Sequence, residues 1–157
     1  TAIAPTASIS IICGGTSPGV EPIAANSYTH KTLSGSFNVR NRHLKQILAK
    51  YDKDNDEVWS SITTNQGSVS HLDFLTQNEK DVFKTAFELD QKWIIELSAD
   101  RTPHISQAQS INIFLPADVH KKELHQIHFQ AWKKGLKSLY YCRSKSIQRA
   151  ENVNDAK

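Results

Sequence analysis

The stretch Ile111–Cys142, INIFLPADVHKKELHQIHFQAWKKGLKSLYYC, decides the fold class of this sequence. Its first five residues alternate as a strand does, and Pro116 ends that strand. A helix capped by Asp118 follows and runs to about Lys134, where Gly135 suits a helix C-terminus. The last five residues, SLYYC, have strand character again. Strand, helix and strand in roughly 35 residues form a βαβ unit, which predicts an α/β fold built as a parallel sheet or barrel.

The sequence before this unit predicts three more helices. The first covers Asn41–Tyr51, and its first residue can cap it; the second covers Asp54–Thr64. The third begins at Thr76, which forms with Glu79 the Thr-x-x-Glu pattern of a capping box. Apolar residues at helical spacing continue after this box, so we expect one continuous helix as far as Arg101.

The two ends of the chain have a different composition. Residues 1–37 are rich in Gly, Ser, Thr and Pro, and the apolar run Ile9–Ile12 interrupts them, which predicts loops and short strands. The tail, residues 151–157, has no apolar pattern and is expected to be flexible.

Size and composition exclude several classes of protein. The chain has 157 residues, of which 38% are hydrophobic and 22% charged, so it suits one packed domain or a substantial part of a larger one. The net charge of +3 comes without a basic cluster interleaved with aromatics, so binding to nucleic acid is not expected. There is no apolar run long enough to cross a bilayer and no secretory leader, and we expect a cytoplasmic protein with no membrane partner.

The start of the chain suggests how it arose. The sequence contains no methionine and opens within the segment Thr1–Pro5. We expect a processed product, a split-gene product or a partial record. Because a hydroxyl residue such as Thr1 is the type required just after an intein, an intein-derived piece is one of these possibilities.

One candidate for anion binding is Pro5-Thr6-Ala7-Ser8-Ile9-Ser10, followed by Gly14-Gly15-Thr16. Small and hydroxyl residues that expose consecutive backbone amides can surround a phosphate, especially where a loop enters a helix. The same composition also suits an ordinary turn, so both readings stay open on this ground.

Metal sites have weaker support. The run Asp52–Asp56 resembles the start of a calcium loop, but Glu57 stands where that loop needs glycine. Two cysteines, Cys13 and Cys142, show no metal-ligand spacing and are too few for a disulfide framework. Three histidines on one predicted helix lack the cysteines or carboxylates that would complete a zinc site: His120, His125 and His128.

The adjacent aromatics Tyr140 and Tyr141 have two interpretations. Paired aromatics in a strand usually serve packing, whereas two phenols in contact can relay a radical if a proton moves with each electron. A phenol stays protonated at neutral pH because its pKa is about 10. Successive side chains of a regular strand point to opposite faces, so a stacked pair requires a strand end or an irregular backbone.

Several motifs together resemble the alpha subunits of ribonucleotide reductases. The segment Ala4-Pro5-Thr6-Ala7-Ser8, followed by Gly19-Val20-Glu21-Pro22, is similar to their substrate-phosphate loop. The segment Lys137-Ser138-Leu139-Tyr140-Tyr141 resembles the late strand that bears their tyrosine dyad. Two intervening stretches also resemble the family, His71-Leu72-Asp73-Phe74 and Ala99-Asp100-Arg101-Thr102-Pro103.

The resemblance implies a fold and a set of site residues. Residues 1–150 would form the C-terminal portion of a ten-stranded α/β barrel with several helices and βαβ units, followed by the flexible tail. The substrate diphosphate would be held by Pro5, Thr6, Ala7, Ser8 and Ile9, through the hydroxyls of Thr6 and Ser8 and through backbone amides. Tyr141 would receive a radical from a small subunit, and Tyr140 would pass it to a cysteine that abstracts the 3′ hydrogen of the ribose.

The resemblance also implies partners, because Cys13 and Cys142 do not match the family's radical cysteine. We expect the N-terminal part of the alpha subunit to supply that cysteine, a small (beta) subunit to supply a metal-tyrosyl or metal-based radical, and a ribonucleoside diphosphate to be the substrate. Thioredoxin or glutaredoxin would reduce the whole enzyme, and no cofactor is expected on this chain itself. The dyad favours class I; a cobalamin-dependent reductase fragment and a non-catalytic assembly module of the same fold are the alternatives.

Overall fold

The structure is a computed structural model that describes residues 1–14, 17–33 and 35–144. The helices and strands in these ranges are α1 (Ala7–Ile12), β1 (Ser27–Thr32), β2 (Gly35–Arg40), α2 (Arg42–Lys50), α3 (Asp56–Thr64), α4 (Gln77–Val82), α5 (Lys92–Arg101), β3 (Ile113–Leu115), α6 (Lys121–Lys133) and β4 (Cys142–Ser144). Short 3₁₀ helices cover Ala86–Glu88 and Thr102–His104. The expected tail, 151–157, and the end of the expected 1–150 region lie outside the described residues.

The chain divides into two compact units. One combines the described residues of Thr1–Pro22 and Leu89–Lys157, and the other is Ile23–Glu88.

The first unit contains the predicted βαβ arrangement. Strands β3 and β4 pair in parallel, with Ile113 opposite Cys142 and Leu115 opposite Ser144, and α6 connects them. On the other edge of the same central segment, Ile3 forms a parallel bridge with Gln109. Three parallel backbone segments therefore lie side by side, with residues 108–115 in the middle. The parallel pairing confirms the predicted βαβ unit.

The core of this unit lies on one face of the central segment. Ile111, Ile113 and Leu115 are buried and pack with residues of α5 and α6, namely Ile94, Ile95, Ile127 and Ala131. Because strand side chains alternate, the intervening Asn112 points away from these helices.

Two boundaries in this unit differ from the prediction. The cap of α6 is His120, whose side chain accepts a hydrogen bond from the amide of Lys122, so the prediction of Asp118 was wrong. A turn closed by the amide of Val119 on the carbonyl of Pro116 holds Asp118 before the helix starts. The end of α6 is as predicted, since Gly135 has a φ of 79°.

The second unit is built on a hairpin and three capped helices, α2, α3 and α4. Strands β1 and β2 are antiparallel, from Ser27 opposite Arg40 to Thr32 opposite Gly35, and this hairpin was not predicted. The Asn41 side chain caps α2, as predicted, and Asn55 caps α3. The core of the unit consists of Leu44, Leu48, Trp59, Ile62, Val69, Leu72, Leu75 and Phe83.

The prediction of one helix from Thr76 to Arg101 was wrong. The capping box of Thr76 and Glu79 is present, but α4 ends at Val82 and α5 begins only at Lys92. Between them, the amide and hydroxyl of Thr85 donate to Glu88 Oε2, each at 2.8 Å. Such side-chain-to-backbone bonds give the chain an alternative to helical hydrogen bonds.

The apolar run Ile9–Ile12 is also not a strand. It belongs to α1, whose first turn is closed by the amide of Ser10 on the carbonyl of Thr6, at 2.8 Å. The hydroxyl of Ser10 donates back to the carbonyl of Ala7, at 2.7 Å.

Candidate functional site

The segment that leaves the Ile3 bridge leads directly into a loop and the start of α1. In a helix that starts at Ala7, the amides of Ala7, Ser8 and Ile9 have no intrahelical acceptor. The side chain of Ser8 is exposed, whereas the Thr6 hydroxyl donates to the carbonyl of Pro18 at 2.8 Å. The predicted loop thus presents three backbone amides and one exposed hydroxyl, while Thr6 ties it to the next turn. Gly15 and Thr16 of the predicted motif lie outside the described residues.

The turn that follows Pro18 is held by the buried side chain of Glu21. Glu21 is only 3% exposed, and its carboxylate accepts a hydrogen bond from the side-chain amide of Asn112. A Cβ atom on Gly19 would lie 2.8 Å from Glu21 Oε1, so glycine leaves room for this carboxylate. Sequence reasoning did not find this pair; the available signal was one polar residue, Asn112, inside an apolar strand.

The tyrosine pair lies just before β4, where the backbone is irregular. The amide of Tyr140 donates to the carbonyl of Ile111, and the amide of Ile113 donates to the carbonyl of Tyr141, both at 2.8 Å. In a parallel ladder these bonds place Leu139 opposite Ile111, while Cys142 pairs with Ile113. Tyr140 and Tyr141 therefore face Asn112 alone, with one extra residue as in a β-bulge.

This irregularity lets both phenol rings lie together. Their centroids are 4.2 Å apart and their planes meet at 59°, so the rings are in contact but tilted rather than parallel. Tyr140 is 47% exposed and Tyr141 is 53% exposed. The guanidinium carbon of Arg143 lies 5.5 Å from the centroid of the Tyr141 ring, within cation–π range.

Tyr141 influences the ionisation of Tyr140. A hydrogen bond with Tyr141 raises the pKa of Tyr140 above its usual value of 10.0, and the charge of Tyr141 and partial burial act in the same direction. The positive charge of Arg143 opposes this shift of the pKa. Tyr140 is consequently neutral at physiological pH and keeps the hydroxyl proton that a hydrogen-atom relay needs.

The segment before the loop and the tyrosine pair are hydrogen-bonded to the same central segment. Ile3 bonds to Ala108 and Ser110 on one edge of the central segment, and the dyad bonds to Ile111 and Ile113 on the other. Neighbouring strands lie about 4.8 Å apart, so the two outer segments are separated by roughly 10 Å. The segment that leads into the loop and the tyrosine pair therefore lie on opposite edges of the central segment.

The other candidates have structural explanations. His120 caps α6, and His125 stacks on Phe129. Asp54 accepts a hydrogen bond from the Trp59 indole, and Asp56 pairs with Arg40. Within the described ranges no three His, Cys, Asp or Glu side chains are grouped to hold a metal ion, and Cys13 and Cys142 are free and exposed. Among the same residues, no helix has the length and apolar character of a membrane span.

Comparison with known proteins identifies the fold. Residues 1–142 match the family model for the ribonucleotide reductase barrel domain. The chain is 54% identical over 157 residues to the ribonucleoside-diphosphate reductase large subunit of Invertebrate iridescent virus 6, covering 98% of this chain and 16% of that protein. The large subunit of Invertebrate iridescent virus 3 is 48% identical, with 98% and 25% covered.

A solved structure gives the same answer. The class Id ribonucleotide reductase alpha subunit of Actinobacillus ureae superposes with a TM-score of 0.82 at 42% identity, covering 92% of this chain and 26% of that one. The chain thus spans a minor part of the length of these relatives. The expected α/β fold, as part of a barrel, is confirmed, and the chain belongs to the ribonucleotide reductase barrel-domain family.

Proposed function

We propose that this chain is the part of a ribonucleoside-diphosphate reductase large subunit that carries the diphosphate loop and a tyrosine radical relay. The observation that carries this proposal is the contact between Tyr140 and Tyr141 on one edge of the central segment. On the other edge lies Ile3, from which the chain continues into the Pro5–Ile9 loop. The relatives named as large subunits of ribonucleoside-diphosphate reductases support it.

The substrate diphosphate is bound at the start of α1. The amides of Ala7, Ser8 and Ile9 point out of the first helical turn, and the exposed Ser8 hydroxyl adds a donor. Pro5 supplies no amide proton and fixes the approach to the turn. The Thr6 hydroxyl either keeps its bond to Pro18 and shapes the loop, or releases it to donate to the phosphate.

The relay moves one hydrogen atom at each step. Tyr141 gives its hydroxyl hydrogen to a radical of the small subunit and becomes a phenoxyl radical. Tyr141 then takes a hydrogen atom from Tyr140, whose ring lies in contact with its own. Tyr140 in turn takes a hydrogen atom from a cysteine thiol on the N-terminal part of the large subunit, and the thiyl radical abstracts the 3′ hydrogen of the ribose.

The partners follow from this sequence of steps. The chain works with the N-terminal part of the large subunit and with a small subunit holding a metal-tyrosyl or metal-based radical; thioredoxin or glutaredoxin is the reductant. The class Id relative supports class I over a cobalamin-dependent reductase, which generates its radical beside the substrate. A cytoplasmic location stays a prediction.

The test of this proposal uses the complete large subunit that carries this chain, assembled with its small subunit. Tyr140→Phe and Tyr141→Phe each remove one hydroxyl, so we expect both variants to lose turnover while substrate still binds. Tyr28→Phe, at an exposed position of β1, is the matched control and keeps full turnover. Undiminished turnover in both dyad variants would refute the relay.

The same assay tests the loop. Ser8→Ala removes one hydrogen bond to a charged group, worth roughly 1.5–3 kcal/mol, so KM for the diphosphate rises while kcat is kept. An unchanged KM contradicts the diphosphate loop. Failure of this chain to restore turnover with any N-terminal part of the large subunit would favour the alternative of a non-catalytic assembly module.

A further inference from the structure

The diphosphate loop is held in place by a chain of hydrogen bonds that ends on the central segment. Thr6 bonds to the carbonyl of Pro18 through its hydroxyl at 2.8 Å and its amide at 3.3 Å. Ser17 donates to the carbonyl of Glu21 at 2.5 Å, which closes the turn. The Glu21 side chain then reaches Asn112, 91 residues away in sequence. The loop, the turn and the central segment are thus connected through Glu21.

Glu21 occupies an unusual environment for this task. Its carboxylate is buried, and a buried charge is costly unless hydrogen bonds compensate for it. One carboxylate oxygen accepts from Asn112, but in the described part of the chain Glu21 Oε2 and Asn112 Oδ1 have no hydrogen-bond partner. Burial alone would favour an apolar residue here, so the carboxylate is explained by its directional bond to Asn112.

Asn112 is a fitting anchor because its position is fixed from both sides. It lies between Ile111 and Ile113, whose side chains are in the core with α5 and α6. The backbone of the central segment is bonded to the Ile3 segment on one edge and to the tyrosine pair on the other. A side chain bonded to Asn112 is therefore attached to a backbone segment that is hydrogen-bonded on both edges.

We propose that Glu21 is a positioning residue for diphosphate binding. Its hydrogen bond with Asn112 holds the Pro18 turn in place. The Pro18 turn in turn holds Thr6 and the first amides of α1 in the geometry that the diphosphate requires. Gly19 belongs to the same arrangement, because a Cβ atom there would lie 2.8 Å from Glu21 Oε1 and would displace the carboxylate from its present position. This inference rests on the proposed function of the loop.

The test measures substrate kinetics and the affinity for inorganic pyrophosphate in the complete large subunit with its small subunit. Glu21→Ala releases the turn, so KM for the ribonucleoside diphosphate and the dissociation constant for pyrophosphate rise about tenfold, as expected for one lost bond to a charged group. The kcat at saturation is kept, because the tyrosine relay is untouched. Glu123→Ala, which removes an exposed carboxylate from α6, is the control and leaves both constants unchanged.

The conservative variant separates positioning from general stability. In Glu21→Gln the new amide accepts from Asn112 Nδ2 and donates to Asn112 Oδ1, so KM returns to within about twofold of the wild-type value. Rescue by glutamine with loss in alanine is the expected pattern. A fall in kcat with unchanged KM, or an unchanged KM in a folded Glu21→Ala variant, overturns the inference.

A second variant decides the matter if Glu21→Ala does not fold. Gly19→Ala adds one methyl group against the Glu21 carboxylate, and it too should raise KM for the diphosphate; a wild-type KM in that variant overturns the inference. The result for Ser8→Ala distinguishes the two proposals. An effect of Ser8→Ala without one of Glu21→Ala overturns the positioning role alone, whereas no effect of Ser8→Ala contradicts the diphosphate loop itself.

Discussion

The side-chain amide of Asn41 donates a 2.9 Å hydrogen bond to the side-chain oxygen of Asn26, which is 1% exposed. Asn26 in turn donates through Nδ2 to the carbonyls of Gly67, at 3.0 Å, and Phe83, at 2.7 Å. One buried carboxamide therefore joins the start of the hairpin, the cap of α2, the turn after α3 and the end of α4. The Phe83 carbonyl at the end of α4 thereby has a hydrogen-bond partner, while the Gly67 carbonyl accepts from both the side chain and the backbone amide of Asn26.

Replacing Asn26 by leucine should destabilise the second unit by about 2–4 kcal/mol. Each buried polar group that is left without its hydrogen-bond partner costs roughly 1–3 kcal/mol. Urea denaturation reports on this unit when it is followed by the fluorescence of the buried Trp59 in a background that carries Trp93→Phe and Trp132→Phe. Asn78→Leu, at an exposed position of α4, is the matched control. A loss below about 0.5 kcal/mol would show that Asn26 does not hold these segments together.

Gly67→Ala should cost more than Gly35→Ala. Both glycines have positive φ, 82° and 141°, so each substitution strains the backbone. At Gly67 the new Cβ would overlap with Ala25, whereas none of the residues that the structure describes comes within 4 Å of the Cβ position at Gly35. The same denaturation assay compares the two variants within one unit. Equal losses would mean that backbone strain, and not the approach of Ala25, requires glycine at position 67.

The stability of the second unit should rise with pH as the pH approaches 6.5 from below. Burial, and then the charge of Lys80, lower the pKa of His71 beneath its usual 6.5, while Asp73 opposes them. The neutral imidazole, bonded to Ser61 Oγ at 2.5 Å, is favoured in the folded state. This contribution is fully present above pH 6.5 and is lost as the pH falls towards the folded pKa.

A pH series of urea denaturations in His71→Gln should lack this slope. His43→Gln, which changes an exposed histidine of α2, should retain it. Persistence of the slope in His71→Gln would assign the pH dependence to another group.

Two changes beside Tyr140 should move its pKa in opposite directions. Tyr141→Phe removes the hydrogen bond that is the main cause of the raised pKa, so the pKa of Tyr140 falls towards 10.0. Arg143→Gln removes a positive charge that lowers the pKa, so the pKa of Tyr140 rises further. Phenolate absorbance, taken as the difference from the same chain with Tyr140→Phe, follows this titration, and Arg143→Lys is the control that keeps the charge. Shifts in the same direction would contradict the assigned causes.

Elements with local signals were predictable from the amino-acid sequence. Asn41 and Thr76 cap helices because their side chains reach amides two or three residues away, and Gly135 ends α6 because its own φ is positive. The strand–helix–strand order around α6 likewise predicted parallel pairing, since a crossover helix leaves the second strand running in the same direction.

Predictions from local sequence patterns were wrong where competing hydrogen bonds leave no recognisable pattern in the sequence. The apolar spacing from Thr76 onward is compatible with one helix, but the bonds of Thr85 to Glu88 interrupt it. The β1–β2 hairpin was missed because the residues around its turn resemble an ordinary polar loop. Helix and hairpin hydrogen bonds have similar strength, so small side-chain contributions decide between them.

The geometry of the candidate site depends on contacts between segments that are distant in sequence. Adjacency in sequence placed two phenols together, but the extra residue opposite Asn112, which brings their rings into contact, depends on pairing with a segment about 30 residues earlier. The bond between Glu21 and Asn112 joins positions 91 residues apart, and no spacing rule relates them. Such contacts arise when folding buries a polar group and that group must find its partner among whichever segments then lie beside it.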